Sequence, residues 1–376
     1  MTYETIHTPS YVVEEELLIK NLEILKNIMD ETGCHILLAQ KCFSMFSVYP
    51  LIGQYLSGTT ASGLFEAKLG KEHMGGETHV YAAAFRDDEI DEILAVCDHI
   101  VFNSFSQWER FKEKAIGSGK EVGLRINPQC STQEGHAIYD PCSPYSRMGI
   151  TREEFREDQL EGISGLHFHT LCEQNSDDLV TTLNAIEEQF EPYLHQMKWL
   201  NFGGGHHITR EDYDRETLIN SIKRIQEKYD VKVYLEPGEA VALNAGFLVS
   251  TVLDIVHNGM DIAILDSSAA CHMPDVLEVP YTPTVIGSKS PNEYPYTYRL
   301  AGPTCLSGDI IGDYSFEKPL EIGQRLVFCD MAIYSMVKNN TFNGMNLPYI
   351  ALKQKGSEEL TIIKEFGYLD FKNRLS

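Results

Sequence analysis

An eight-stranded β/α barrel followed by a mostly antiparallel β-domain is the fold this sequence predicts. From about residue 35 to residue 236, short apolar β-runs alternate with amphipathic helical stretches. The alternation completes eight β/α units in roughly 200 residues, the count of a TIM barrel; a doubly wound sheet of that length would carry fewer strands. After about residue 245, helical periodicity fades and β-branched and aromatic runs with Gly and Pro punctuation take over.

The eight runs are His35–Gln40, Gly58–Ser62, His79–Ala83, His99–Asn103, Val122–Ile126, Gly165–His169, Trp199–Phe202 and Val231–Glu236. Helical stretches between them include Leu64–His73, Asp87–Val96, Ser106–Ile116, Asp177–Gln196 and Arg210–Tyr229. Ser106 and Thr209 suit helix caps, each followed three residues later by Glu109 or Asp212. The later β-runs are Gly246–His257, Tyr296–Ala301, Arg325–Cys329 and Glu359–Ile363. Thr8–Val13 also reads as a strand and is expected to join them. The expected domains are therefore a barrel over residues 15–245 and a β-domain built from residues 1–14 and 246–376.

The formal charge of −24 argues against nucleic acid, whose phosphates it would repel, and favours cationic small molecules. No stretch reaches the roughly 20 apolar residues of a membrane helix. The N-terminus, Met1 to His7, lacks the basic-then-apolar order of a signal peptide. Nine cysteines without paired spacing read as reduced thiols, so a cytoplasmic location is expected. There is no CxxC pair or HExxH helix, and the adjacent His206 and His207 would point apart on extended chain, so no metal is expected.

In a TIM barrel, catalytic groups gather at the C-terminal ends of the strands. Here those ends carry Lys41, His169, Gly203-Gly204-Gly205 and Glu236-Pro237-Gly238. Lys41 follows the apolar run Ile36 to Gln40, and burial would lower the pKa of its amine, as a Schiff-base lysine needs. The glycines let backbone N–H groups approach an anion, and a helix start after them would add positive dipole. Glu236 suits a protonated ring nitrogen, and His169 offers a flat face for stacking. An amine, a phosphate cradle, a carboxylate and a stacking ring together describe a pyridoxal phosphate site. In the later half, Gly302-Pro303-Thr304-Cys305-Leu306-Ser307-Gly308-Asp309 fixes a thiol and a carboxylate four residues apart. A lone intracellular Cys is ordinarily a small buried apolar residue, so Cys305 gains weight from the strand-end set.

Ala39-Gln40-Lys41, His167-Phe168-His169, the triple glycine, Glu236-Pro237-Gly238, Gly302 to Cys305 with Asp309, and Tyr334 with Thr341-Phe342-Asn343-Gly344 stand in one order. In that order the chain resembles the fold-type III pyridoxal-phosphate decarboxylases over nearly its whole length. Ser143 to Gly149, with Arg147, and Cys271 to Glu278 make it most similar to the carboxynorspermidine (carboxyspermidine) members. The resemblance implies the alanine racemase/ornithine decarboxylase-like fold, a pyridoxal-phosphate barrel plus β-domain. It also implies a cationic carboxy-polyamine substrate and a homodimer with shared active sites. Lys41 would then bind the cofactor covalently and His169 would stack on its ring. Gly203, Gly204, Gly205 and the Tyr334 hydroxyl would hold the phosphate, and Glu236 the pyridine nitrogen. Cys305, from the second subunit, would protonate Cα, and Asp309 and Arg147 would contact substrate.

Two departures stand out. Where relatives have Gly-Ser after the stacking His, this chain has Leu171-Cys172, which removes a phosphate-binding hydroxyl. Where many relatives read Glu-Pro-Gly-Arg, residue 239 is Glu239. That exchange disfavours a substrate ending in a carboxylate and suits a long polyamine, which Asp275 and Glu278 are also expected to bind. The alternative reading is a diaminopimelate or basic amino acid (ornithine/arginine-type) decarboxylase.

Overall fold

The computed structural model describes residues 3–133 and 137–376; Met1 and Thr2, where the N-terminal reading begins, lie outside the described residues. The chain forms two compact units, Asn21–Val241 and a second made of Met1–Lys20 with Ala242–Ser376. The N-terminal strand, β1 (Ser10–Glu14), belongs to the second unit.

The first unit is a closed barrel of eight parallel strands: β2 (His35–Ala39), β3 (Gly58–Ala61), β4 (Glu77–Tyr81), β5 (His99–Phe102), β6 (Glu121–Arg125), β7 (Gly165–His167), β8 (Trp199–Asn201) and β9 (Lys232–Leu235). It closes between β9 and β2, with His35 opposite Tyr234 and Ile36 opposite Leu235. All eight expected strands are present, shifted by a residue or two at their ends. Leu37, Val101, Trp199 and Tyr234 pack together as a buried cluster. The Trp199 indole occupies room that Gly123 and Gly165 leave open: a Cβ at Gly165 would lie 2.0 Å from Trp199 Cδ2, and one at Gly123 2.3 Å from Cη2.

The helix expected from Asp87 begins at Ile90, and two expected caps are not used. The Phe105–Gly117 helix is capped by Ser104, whose Oγ accepts from the Gln107 N–H, rather than by Ser106. The next disagreement is larger. The helix expected from Arg210 begins at Arg215, capped by Asp214. Thr209 is not its cap, because its hydroxyl donates instead to the Ala240 carbonyl at 2.7 Å.

The second unit is one mixed, mostly antiparallel sheet. Its remaining strands are β10 (Gly246–His257), β11 (Asp261–Leu265), β12 (Ser288–Lys289), β13 (Tyr296–Ala301), β14 (Ile310–Phe316), β15 (Arg325–Cys329), β16 (Tyr349–Lys353) and β17 (Leu360–Lys364). Their order is β12-β14-β13-β11-β10-β1-β16-β17, with β15 also paired to β10. β1 lies antiparallel to β10 and parallel to β16, Ser10 standing opposite both Val249 and Tyr349. Tyr11, Leu248, Leu300 and Phe328 are central in the buried cluster of this unit.

Both tryptophans, Trp108 and Trp199, lie in the barrel, so their fluorescence reports barrel unfolding. Gly165→Ala should cost about 1–3 kcal/mol by overpacking. Urea unfolding followed by that fluorescence checks it; an unchanged midpoint would mean the indole has another place to go.

Candidate active site

The strand ends singled out in the barrel fall on four adjacent staves, β7, β8, β9 and β2. Because the strands are parallel, their C-terminal ends share one face. Glu236 directly follows β9 and is 9% exposed. Burial opposes its ionisation, yet the carboxyl is held below the ordinary range by its partners, His167 first. Asn201 Nδ2 donates to one oxygen at 2.8 Å, and His167 Nε2 lies 3.2 Å from the other. His167 is itself kept neutral by burial, and a neutral ring with its proton on Nε2 still provides that bond. The direction for this buried pair is therefore an ionised Glu236 beside a neutral His167. Neither His167 nor Asn201 was assigned a role from sequence, although His167 lies inside the quoted His-Phe-His motif and Asn201 two residues before the glycines.

The glycine turn follows β8. Gly203 and Gly205 have φ of +68° and +81°. A Cβ at Gly204 would lie 2.4 Å from the Glu236 carbonyl oxygen, so the close approach requires glycine there too. The N–H groups are not all open to an anion. Gly203 N–H donates to Asn201 Oδ1 at 2.8 Å and Gly204 N–H to His169 Nδ1 at 2.6 Å. Gly205 alone of the three has an N–H without an acceptor among the described residues. The helix expected from Arg210 starts at Arg215, ten residues after Gly205, so its dipole does not complete this turn. The Gly203 and Gly204 N–H groups, expected to hold the phosphate, engage the Asn201 side chain and the His169 ring here.

His169 is half-buried, and its pKa is driven well below the usual histidine value by burial, then by the Lys41 and Arg125 charges. With Nδ1 accepting from Gly204 it presents a neutral ring. Arg125, 4% exposed, donates to the His169 carbonyl at 3.0 Å and lies over the Tyr81 ring. Arg147 is exposed, and its carbonyl accepts from Asn103 at 2.9 Å.

Lys41 stands in the turn after β2 and is exposed, while Ile36 to Gln40 beneath it are buried. The expected burial of its amine therefore stops one residue short. The charge of Lys41 reaches His169, His167, Cys172 and Glu66. Glu66, a residue not anticipated, is pushed up by burial and accepts from the Ser62 N–H at 2.6 Å. The Cys172 thiol is pushed up to about 12 by burial, with Glu239 and Glu173 adding to the effect, so it remains a neutral thiol. Glu239 is half-buried at the start of the Glu239–Ala242 turn of helix.

In the β-domain unit, three separate stretches are tied together. Asp309 is 3% exposed and accepts from Ser268 Oγ at 2.9 and 2.8 Å, Thr304 Oγ1 at 2.6 Å and the Ala270 N–H at 3.1 Å. Asp309, expected to reach substrate, has oxygens that latch the Cys305 loop to Ser268 and Ala270. Cys305 itself is exposed, and its N–H donates to Asn343 Oδ1 at 3.1 Å. Asn340 closes the third side, donating to the Cys271 and Ala270 carbonyls at 2.9 and 2.8 Å. Asp275 and Glu278, expected to bind substrate, both pair with Lys338. Tyr334 has φ of +55°, uncommon for a bulky residue.

One group of possible metal ligands exists among the described residues, Glu77, His79 and His99. It lies on β4 and β5, at their N-terminal ends in the case of Glu77 and His99. The two imidazoles stack at 3.9 Å and 10°, so a single ion cannot lie in both ring planes. We assign no metal there. A cavity of about 620 Å³, lined by Thr5, His7, Tyr349 and Glu365 among others, shares no residue with the site.

A buried ionised carboxylate, a neutral ring fixed by a glycine turn and an exposed lysine on neighbouring strands suit pyridoxal phosphate. Asn201 and His167 take two of the roughly four acceptor positions of the Glu236 carboxylate, which leaves acceptor capacity for a ring N–H. The chain belongs to the pyridoxal-dependent decarboxylase family: the family model described as "Pyridoxal-dependent decarboxylase, C-terminal sheet domain" matches residues 11–332. It is thus a decarboxylase that uses this cofactor.

Among individual proteins, it is 45% identical to a carboxynorspermidine/carboxyspermidine decarboxylase of Campylobacter jejuni, over 100% of both chains. It is 40% identical to a carboxyaminopropylagmatine decarboxylase of Synechocystis, over 99% of this chain and 96% of that one. The crystal structure of the Campylobacter jejuni carboxynorspermidine decarboxylase complexed with norspermidine matches with a TM-score of 0.92 and 44% identity, covering 98% of this chain and 100% of that one.

Because the folded-state pKa of Glu236 is depressed, its charge stabilises the protein above the unfolded glutamate value of about 4.3, and that contribution is lost as pH falls below it. Glu236→Gln should therefore lower unfolding free energy by about 1–3 kcal/mol at neutral pH. The gap to wild type should close on acidification. A gap that widens on acidification would mean the carboxyl is protonated at neutral pH.

Proposed function

We propose that this protein decarboxylates a carboxy-polyamine of the carboxynorspermidine/carboxyspermidine type, yielding norspermidine or spermidine. The observation that carries this reading is the full-length 45% identity to the Campylobacter jejuni protein of that name. Glu239, in place of the cation found in many relatives, supports it by adding negative charge where a distal carboxylate would be repelled. The 40% identity to a carboxyaminopropylagmatine decarboxylase favours a second reading, a longer substrate ending in a guanidinium.

Lys41 would hold the cofactor covalently, with His169 against its ring, and with Gly205 and Tyr334 at its phosphate. Bound pyridoxal phosphate supplies an electron sink for the pair left behind when carbon dioxide departs. Glu236 keeps a proton on the ring nitrogen, because its ionised carboxylate favours the protonated form. Cys305 Sγ returns a proton to Cα, and its exposed position suits action on a site in a second copy. We accordingly infer a homodimer in which the Cys305 loop of one subunit serves the barrel of the other. No helix among the described residues is long and apolar enough to cross a membrane, and nine thiols suit a reducing, cytoplasmic location.

Carbon dioxide release should be fastest from carboxynorspermidine or carboxyspermidine in a panel that includes carboxyaminopropylagmatine, diaminopimelate, ornithine and arginine. Lys41→Ala should abolish both the visible cofactor absorbance and turnover. Preference for diaminopimelate or ornithine would establish the other decarboxylase reading. Separately, Cys305→Ala should lower kcat by about 100-fold or more, the scale of a general acid, with cofactor absorbance intact. An unchanged kcat would remove Cys305 from the mechanism.

A further inference from the structure

Tyr334 pays for its place in backbone geometry. At φ +55° and ψ −40° it is the central residue of a γ-turn, in which the Ser335 N–H donates to the Ile333 carbonyl at 2.6 Å. That conformation is rare and strained, and persists only where the surroundings impose it. The helix that follows, Ser335–Lys338, has four residues and is too short to impose anything alone. Its end is held instead from outside. The Lys338 N–H donates to the Tyr334 carbonyl at 2.9 Å, and the Lys338 ammonium is clamped between the carboxylates of Asp275 and Glu278. Tyr11 Oη donates to the His272 carbonyl and lies 3.3 Å from the Ser335 carbonyl, so it packs against the other end.

We propose that Lys338, gripped by Asp275 and Glu278, is a positioning residue that holds Tyr334 in this turn and thereby sets cofactor affinity. The acidic pair then acts on the cofactor through Lys338 and Tyr334, not on the substrate's ammonium groups. This inference rests on the reading of Tyr334 as a phosphate ligand. The ion pairs are partly exposed, so their grip weakens with salt.

The test is a double-mutant cycle on cofactor affinity, measured by dialysing the holoenzyme against graded pyridoxal phosphate and reading bound cofactor by absorbance. Tyr334→Phe should raise the cofactor Kd by about tenfold, the scale of a hydrogen bond to a charged group. Lys338→Met should raise it by several-fold, Lys338→Arg should restore it, and Lys338→Met should add little on top of Tyr334→Phe. At saturating cofactor, the substrate KM of Lys338→Met should stay within twofold of wild type. Should Lys338→Met fold poorly, Glu278→Gln breaks one arm of the same clamp and takes its place in the cycle. A Lys338→Met variant with unchanged cofactor Kd and a lowered substrate KM would overturn the proposal, since the freed carboxylates would then be substrate ligands. Additive effects would also overturn it, by showing that Lys338 does not act through Tyr334. An unchanged Kd in Tyr334→Phe alone would instead sink the phosphate reading, and would do so whatever Lys338→Met shows.

Discussion

Closure of the barrel between β9 and β2 is the constraint on which the barrel part of the site depends. Lys41 and Glu236 lie far apart in the chain, and only the His35–Tyr234 and Ile36–Leu235 pairing makes their strand ends neighbours. The seam continues past the strands, with the Ala39 N–H donating to the Pro237 carbonyl at 3.1 Å. It also leaves no space at Gly238, where a Cβ would lie 2.5 Å from Cys42 Cβ. Glycine at 238 is thus required by the fit between the Lys41 turn and the Glu236 turn. Strands across the barrel contribute support: Arg125, at the end of β6, holds the His169 carbonyl.

A second economy is the way one side chain serves two needs. Asn201 accepts from Gly203 with its carbonyl and donates to Glu236 with its amide. The glycine turn and the buried carboxylate are therefore set by the same residue. An unpaired carboxylate at this depth would take up a proton, because burial penalises the charged form. Asn201 and His167 prevent that without adding a second charge. A cationic partner would also have kept Glu236 ionised, but would compete with a ring N–H for it. Neutral donors avoid that competition.

Much of this was legible in the sequence because strand ends are local signals. A β-run closing on Lys41, His169, Gly203 or Glu236 declares its own boundary, and parallel barrel geometry then brings those boundaries to one face. What failed was non-local. Thr209 with Asp212 has the form of a helix start, but its hydroxyl is used by Ala240, some thirty residues away, and Asp214 caps the helix instead. β16 escapes a sequence reading for the same reason, since it pairs with β1 at the other end of the chain. The exposure of Lys41 was misjudged because buried neighbours along a strand say nothing about the turn that follows.

Carboxylates were the hardest residues to read, and for a definite reason. A sequence displays the acceptors but not the donors that satisfy them. The loop containing Asp309 shows a carboxylate four residues after a thiol, which looks like a ligand. Its main donor, Ser268, lies in another stretch altogether, and at 3% exposure the carboxylate holds the loop. Asp275 and Glu278 likewise look like a pair awaiting a cation, until Lys338 is found between them. The charge of −24 is therefore not a supply of unclaimed carboxylates. Where acidic residues already hold a lysine or a serine, a polyamine would have to displace a partner that costs it no loss of translational freedom to keep. Glu239, expected to stand where many relatives carry a cation, therefore favours a cationic substrate more than the acidity of the chain as a whole does.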